Sequence, residues 1–211
     1  RCSALRILCV QEEIYDELIK MLIGNIKVQS LGDPNNFDVD IGPIINKTAH
    51  DKLKNYIERC REKGMDVIEV NQGCSNKYIQ PTLININKIS DIKEEQFGPI
   101  LHILKYPSDG IDNLLKQIND SEYGLTMGIH TRIESRASYL CDKSKIGNIY
   151  VNRDMVGAVV GSQPFGGVGL SGSGFKAGGP NYLIQFLNEK VISKNSVAFG
   201  GNTELLNLQK D

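Results

Sequence analysis

The chain has 211 residues, 40% hydrophobic and 23% charged, which suits one sizeable domain with its own core, or one domain plus a small appendage. Lys and Arg total 24 against 25 Asp and Glu, with no basic block, which argues against nucleic acid or an anionic membrane as the main partner. No apolar run approaches the roughly 20 residues that span a bilayer. The five cysteines are odd in number and irregularly spaced, without a C-x-x-C pair or a Cys/His cluster. That pattern argues against a zinc site or a disulfide framework and fits a reducing compartment.

In chain order the patterns alternate between strand and helix. LRILCV at 5–10 is an apolar run of strand length. EEIYDELIKMLIGNIKV follows, with Ile14, Leu18, Ile19, Leu22, Ile23 and Ile26 along one helical stripe. LGDPNNFDVDIGPI is loop-like. Thr48 to Lys63 reads as a second helix, with Leu53, Tyr56, Ile57 and Cys60 on one face and Gly64 as its stop. MDVIEV at 65–70 is a strand, and KYIQPTLINI at 77–86 is extended, with Pro81 placing it at an edge or splitting it.

ILHILKY at 100–106 is another buried-type strand. A helix is expected over Asp109–Asn119, with Ser108 as cap. LTMGIHT at 125–131 is a strand, Glu134–Lys143 a helix with Ala137, Leu140 and Cys141 inward, and GNIYVN at 147–152 a strand. A Gly-rich stretch runs from Gly157 to Gly179. Pro180 then starts an expected last helix through Glu189, VISKN is read as a short final strand, and Ser196–Asp211 as an extended arm. Strands alternating with helices predict an α/β fold with a doubly wound, mostly parallel sheet.

The elements give Cys9, Cys60 and Cys141 structural places, as small hydrophobes on a strand or on apolar helix faces. Cys74 falls in a polar loop and reads as inert. Cys2 stands just before the first strand, where a side chain can reach a cleft at the sheet's end. Position alone still favours an ordinary thiol there. His50, His102 and His130 are scattered and read as surface or core imidazoles. Gly167-Val168-Gly169-Leu170-Ser171-Gly172 matches G-x-G-x-x-G, but it neither follows a strand directly nor opens a helix. It reads as a loop, not as a dinucleotide fingerprint.

Three stretches carry a resemblance when taken together. They are RCSALRIL at 1–8, KEEQFGPILHILKY at 93–106 and GNIYVNRDMVGAVVGSQPFGGVGLSG at 147–172. In these the chain resembles the C-terminal part of the aldehyde dehydrogenase superfamily. Its NRDMVGAVVGSQPFGG and KAGGPNYL strings resemble the proline-catabolic branch, the glutamate-semialdehyde (pyrroline-5-carboxylate) dehydrogenase module of bifunctional proline utilization A. Val168 and Phe175 depart from the acidic residue and the proline expected there.

The resemblance implies a catalytic domain over residues 1–189 and an oligomerisation strand and arm over 190–211. It implies Cys2 as the nucleophile, because the reaction needs a thiolate that attacks an aldehyde carbon and later leaves a thioester. Its backbone N–H would help hold the oxyanion. Glu95 would accept hydrogen bonds from the ribose hydroxyls of NAD, and Phe97 would pack on that ribose. Gly157 and Ala158 would anchor the substrate carboxylate through backbone N–H groups, assisted by Ser3, and Phe165 would pack on the substrate's aliphatic part.

No metal is implied. The expected setting is a cytoplasmic homo-oligomer, with a proline dehydrogenase domain as a candidate upstream neighbour. The cofactor domain, the general base and the oxyanion-hole asparagine of the family are absent from these 211 residues, so the chain reads as a piece cut one residue before its nucleophile, inactive alone. Two rivals stand beside this reading: a dehydrogenase for another aldehyde, and a non-catalytic remnant that only pairs with other subunits. A cysteine hydrolase using Cys2 and a histidine would leave E-x-F-G-P unexplained.

Overall fold

Strand β1 (Ile7–Gln11) runs directly into helix α1 (Glu12–Lys27), and after a long loop comes α2 (Lys47–Glu62). The computed structural model describes residues 1–70, 77–155, 157–172, 174–195 and 197–200. Next come β2 (Val67–Glu69), β3 (Thr82–Ile86), β4 (Ile100–Tyr106) and α3 (Ile111–Asp120). The remaining elements are β5 (Tyr123–Gly124), β6 (Thr126–Ile129), α4 (Glu134–Lys143), β7 (Asn148–Val151) and β8 (Val168–Gly169).

The main sheet has the order β1-β4-β3-β2. β4 pairs parallel with both β1 and β3, while β2 runs antiparallel along β3. β6 and β7 form a separate parallel pair, and β5 and β8 a short antiparallel one. Each face of the main sheet has its own core, because successive strand residues point to opposite sides. Ile84, Ile86, Ile100 and Leu104 meet Leu53, Tyr56, Ile57 and Cys60 of α2 and Leu114 of α3. Val10, Leu83 and Ile103 meet Ile19 and Ile26 of α1 on the other face. Fully burying one such Leu or Ile contributes about 1.5–3 kcal/mol. The sheet is thus mostly parallel and covered on both faces, as the sequence pattern predicts.

Several expectations need correction. β3 begins just after Pro81 and lies inside the sheet, so the proline splits the expected 77–86 run and marks a strand start, and only the edge alternative fails. The Pro81 carbonyl accepts from Val70 N–H at 3.4 Å, a bond that needs no proline donor. Ile14 faces outward at 56% exposure, because α1 packs through Tyr15, Leu18, Ile19, Leu22, Ile23 and Ile26. Ser108 does not cap α3: Gly110 N–H first closes a turn onto the Pro107 carbonyl at 2.8 Å, and Gly110 is the cap. By contrast, the Asn46 side chain caps α2 by accepting from Ala49 N–H.

At the C-terminal end the helix expectation fails. In place of a helix from Pro180, only a 3-10 turn forms over Leu183–Phe186. Residues 190–195 pair with no described strand of this chain, and Val191 and Ile192 are exposed, as an edge that pairs with a neighbouring subunit would be. Short helices draw their stability from packing, and a strand needs an edge to pair with. Leu183, Ile184, Phe186 and Leu187 are exposed, so packing within the chain does not support the expected helix. Within the expected arm, Val197–Phe199 forms a 3-10 turn. Cys74 and residues 201–211 lie outside the described residues.

The G-x-G-x-x-G stretch is a packed turn, as its context suggests. β8 pairs with β5, and among the described residues none from 170 to 182 is helical. The backbones approach so closely that a Cβ on Gly167 would lie 2.6 Å from Ser171 O, and one on Gly172 would lie 2.4 Å from Gly167 O. The glycines here serve chain-on-chain packing rather than phosphate binding.

Candidate active site

The predicted site residues fall into two groups. The first sits at one end of the main sheet. β1 and β4 run parallel, with Ile7 opposite His102, so residues 1–6 and 95–99 leave the sheet at the same end. Ala4 N–H donates to the Arg1 carbonyl at 3.2 Å and closes a turn over Cys2 and Ser3. Cys2 is exposed there, and Ser3 is buried.

Arg6 links this turn to the E-x-F-G-P motif. Its Nη2 donates to the Arg1 carbonyl at 3.3 Å. Its Nε lies 3.4 Å from Glu95 Oε1, an ion pair without a well-aligned hydrogen bond. Its guanidinium stacks on the Phe97 ring, 4.3 Å from the centroid. The backbone of Arg6 is held as well: its carbonyl accepts from His102 N–H at 3.0 Å and lies 3.1 Å from His102 Nδ1. His102 is buried, and its Nε2 meets the Tyr56 hydroxyl at 2.7 Å. Burial pushes the His102 imidazole below its ordinary pKa and the Tyr56 phenol above its own.

Helix α2 holds the motif from below. Lys52 Nζ bonds Glu94 Oε2 at 2.9 Å, and Arg59 Nη2 lies 3.7 Å from Oε1. The hydrogen bond from Lys52 lowers the Glu94 pKa. Gln96 turns inward and is buried, with Nε2 donating to the Glu94 carbonyl at 3.1 Å and Oε1 without a hydrogen-bond partner. Glu95 and Phe97, on either side of it, stay open: the Glu95 side chain is 35% exposed and Phe97 56%. An outward carboxylate beside an outward ring suits a sugar, whose vicinal hydroxyls donate to the one and whose ring packs on the other.

The second group is mounted on β7. The Tyr150 hydroxyl donates to the Gly157 carbonyl at 3.0 Å. Gly157 has φ of 129°, a backbone that side-chain-bearing residues rarely adopt, and Ala158 beside it is exposed. Val159 and Gln163 exchange backbone bonds of 2.9 and 2.7 Å, and Arg153 Nη1 donates to Gln163 Oε1 at 3.2 Å. Asn148 brackets Phe165: its Nδ2 donates to the Pro164 carbonyl at 3.0 Å, and its Oδ1 accepts from Gly166 N–H at 3.1 Å. Phe165 also pairs through its backbone with Ala177 and is partly buried. Lys176 Nζ donates to the Gly166 carbonyl at 2.6 Å, and burial lowers its pKa.

The structure therefore brings Cys2, Ser3, Glu95 and Phe97 to one sheet end, and Gly157, Ala158 and Phe165 into one loop. Sequence reasoning missed Arg6, Gln96 and Asn148. A cation placed just before an apolar strand, four residues after Cys2, was the available signal for Arg6. Nothing local marks Asn148, whose partners lie 16 and 18 residues away.

A thiol turn, an E-x-F-G-P turn beside it and a mostly parallel sheet covered on both faces agree with the comparison by sequence. The chain belongs to the aldehyde dehydrogenase family, whose profile matches residues 1–192. Within that family it is similar to the bifunctional protein PutA of Klebsiella aerogenes, 44% identical over 207 residues, covering 94% of this chain and 16% of that protein. It is also similar to 1-pyrroline-5-carboxylate dehydrogenase of Bacillus licheniformis, 35% identical over 198 residues, covering 92% of this chain and 38% of that enzyme. A crystal structure of a mutant of Bradyrhizobium japonicum proline utilization A matches with a TM-score of 0.87 at 40% identity, covering 95% of this chain and 20% of that one. The chain thus spans about a sixth of the length of the PutA relatives. No described helix is long and apolar enough to cross a membrane.

Proposed function

We propose that this chain is the thiol-bearing part of a longer NAD-dependent dehydrogenase that oxidises L-glutamate 5-semialdehyde to glutamate in proline catabolism. The observation that carries it is the meeting of the Cys2 turn and the Glu95–Phe97 turn at one sheet end, with Arg6 touching both. Similarity to a 1-pyrroline-5-carboxylate dehydrogenase and to PutA supports the substrate class.

In this reading the Cys2 thiolate attacks the aldehyde carbon and forms a thiohemiacetal on the protein, with its N–H holding the developing oxyanion. The cofactor supplies a hydride acceptor for that carbon. Loss of the hydride leaves a thioester on Cys2, and water hydrolyses it to glutamate and the free thiol. Glu95 accepts from the ribose hydroxyls, and Phe97 packs on the ribose. Ser3 and the backbone of Gly157 and Ala158 bind the distal carboxylate, and Phe165 lines the aliphatic part. Leu183, Ile184, Phe186, Leu187, Val191 and Ile192 are all exposed and suit burial against a neighbouring subunit.

The test is NADH formation by the full polypeptide that carries this chain, with semialdehyde as substrate. Cys2→Ala should abolish it. Ser3→Ala should raise KM for the semialdehyde while leaving KM for an aldehyde without a carboxylate within twofold. Equal effects on both would move the assignment to another aldehyde. The 211-residue chain alone should form no NADH, and turnover by it would refute the reading that it needs further parts.

A further inference from the structure

Arg6 is the side chain at this sheet end that both the thiol turn and the ribose-facing turn share. Its guanidinium pairs with Glu95 at 3.4 Å, stacks on Phe97 at 4.3 Å and donates to the carbonyl of Arg1, the residue before Cys2, at 3.3 Å. The side chain is only 21% exposed, so these contacts are shielded from solvent more than a surface pair would be. Its own backbone is pinned by His102, which Tyr56 pins in turn. Lys52 and Arg59 of α2 pair with Glu94 of the same motif, whereas Glu95 and Phe97 share Arg6, and Gln96 between them is buried. A carboxylate and a ring that must meet one sugar need their spacing held, and a planar guanidinium holds both at once.

We propose that Arg6 is a positioning residue that fixes Glu95 and Phe97 relative to each other for the cofactor's ribose. The inference rests on the functional reading above. A lysine at this position would keep the charge beside Glu95, but it would lose the flat stacking face and the second donor to the Arg1 carbonyl.

The experiment uses the full polypeptide and titrates NADH by its fluorescence, a binding readout independent of turnover. Arg6→Met should weaken NADH binding by roughly tenfold, and Arg6→Lys by about threefold to fivefold, from the loss of an ion pair and a stacked contact. Semialdehyde KM at saturating cofactor should change less than twofold. In a Glu95→Gln background, Arg6→Met should weaken NADH binding clearly less than it does in the wild type, because the two act through one contact. A thermal scan of each variant accompanies the titration. A merely structural arginine would lower the melting temperature and leave the NADH Kd of the folded protein within twofold; that result, with either variant, overturns the proposal. Wild-type polypeptide that binds no NADH would overturn the functional reading itself and the Arg6 assignment with it.

Discussion

Gly98→Ala tests whether the E-x-F-G-P turn is set by its contact with α2. A Cβ built on Gly98 would lie 2.5 Å from Leu53 Cδ1 and 3.1 Å from Cδ2. Ordinary carbon contacts are about 3.5–4.0 Å, so one partner must move by roughly 1 Å. Leu53 is 3% exposed and packed within the α2 core, so it has no open side to swing into. Gly98 does not adopt positive φ, so alanine strains no backbone torsion, and the penalty is steric. Overpacking of this kind costs about 1–3 kcal/mol, offset in part by about 0.4–1 kcal/mol of unfolded-state entropy. The net loss should be about 1–2 kcal/mol, and NADH binding should weaken as the turn carrying Phe97 shifts.

The assay is a double-mutant cycle in urea unfolding. Leu53→Ala alone should cost about 2–5 kcal/mol through its cavity. Combined with Gly98→Ala it should cost less than the sum by at least about 1 kcal/mol, because the truncated side chain makes room for the new methyl. Additive effects, or a Gly98→Ala protein as stable as the parent with unchanged NADH binding, would refute the claim that this contact sets the turn.

Three further outcomes are expected. Burial pushes the Cys9 thiol up to about 12, so it stays protonated at pH 8. Iodoacetamide followed by peptide mapping should label exposed Cys2 far faster than Cys9, and similar rates would contradict the shielding of the Cys9 thiol. His102 titrates below its ordinary value in the folded state, so the unfolded chain takes up its proton first as pH falls. Its contribution to stability is full above about pH 6.5 and declines below it, by at most about 1.4 kcal/mol per pH unit until the folded pKa is reached. Urea unfolding at pH 7.5 and 5.5 should show a larger loss for the parent than for His102→Gln, whereas equal losses would remove His102 from the account. Asn148→Ala removes both bonds that bracket Phe165 and leaves the Pro164 carbonyl and Gly166 N–H unpaired, at a cost of about 1–3 kcal/mol. It should raise semialdehyde KM without changing NADH affinity, and a KM within twofold of the parent's would detach Phe165 from substrate binding.

Periodicity located the main elements because each buries a stripe that local spacing reveals. Leu53, Tyr56, Ile57 and Cys60 recur at helical spacing and do face the core. The run at 100–106 becomes β4 over its full length, and Glu134–Lys143 is a helix with both ends as expected. The motifs also located the candidate site, since Cys2 and Glu95 through Pro99 are short local strings whose resemblance needs no fold.

What depends on distant partners was decided elsewhere. Parallel pairing of β1 with β4 joins residues almost a hundred positions apart, and only that pairing sets the Cys2 turn beside the Glu95 turn. Arg6 acquires its partners from the same event, as does Asn148 from the fold-back of the Gly-rich loop. The failed expectations follow the same physics in reverse. The apolar residues of 183–189 have the composition of a buried helix, yet they stay largely exposed and form only the 3-10 turn over Leu183–Phe186. Local spacing determines which residues of this chain seek burial, and only long-range packing decides which of them find it.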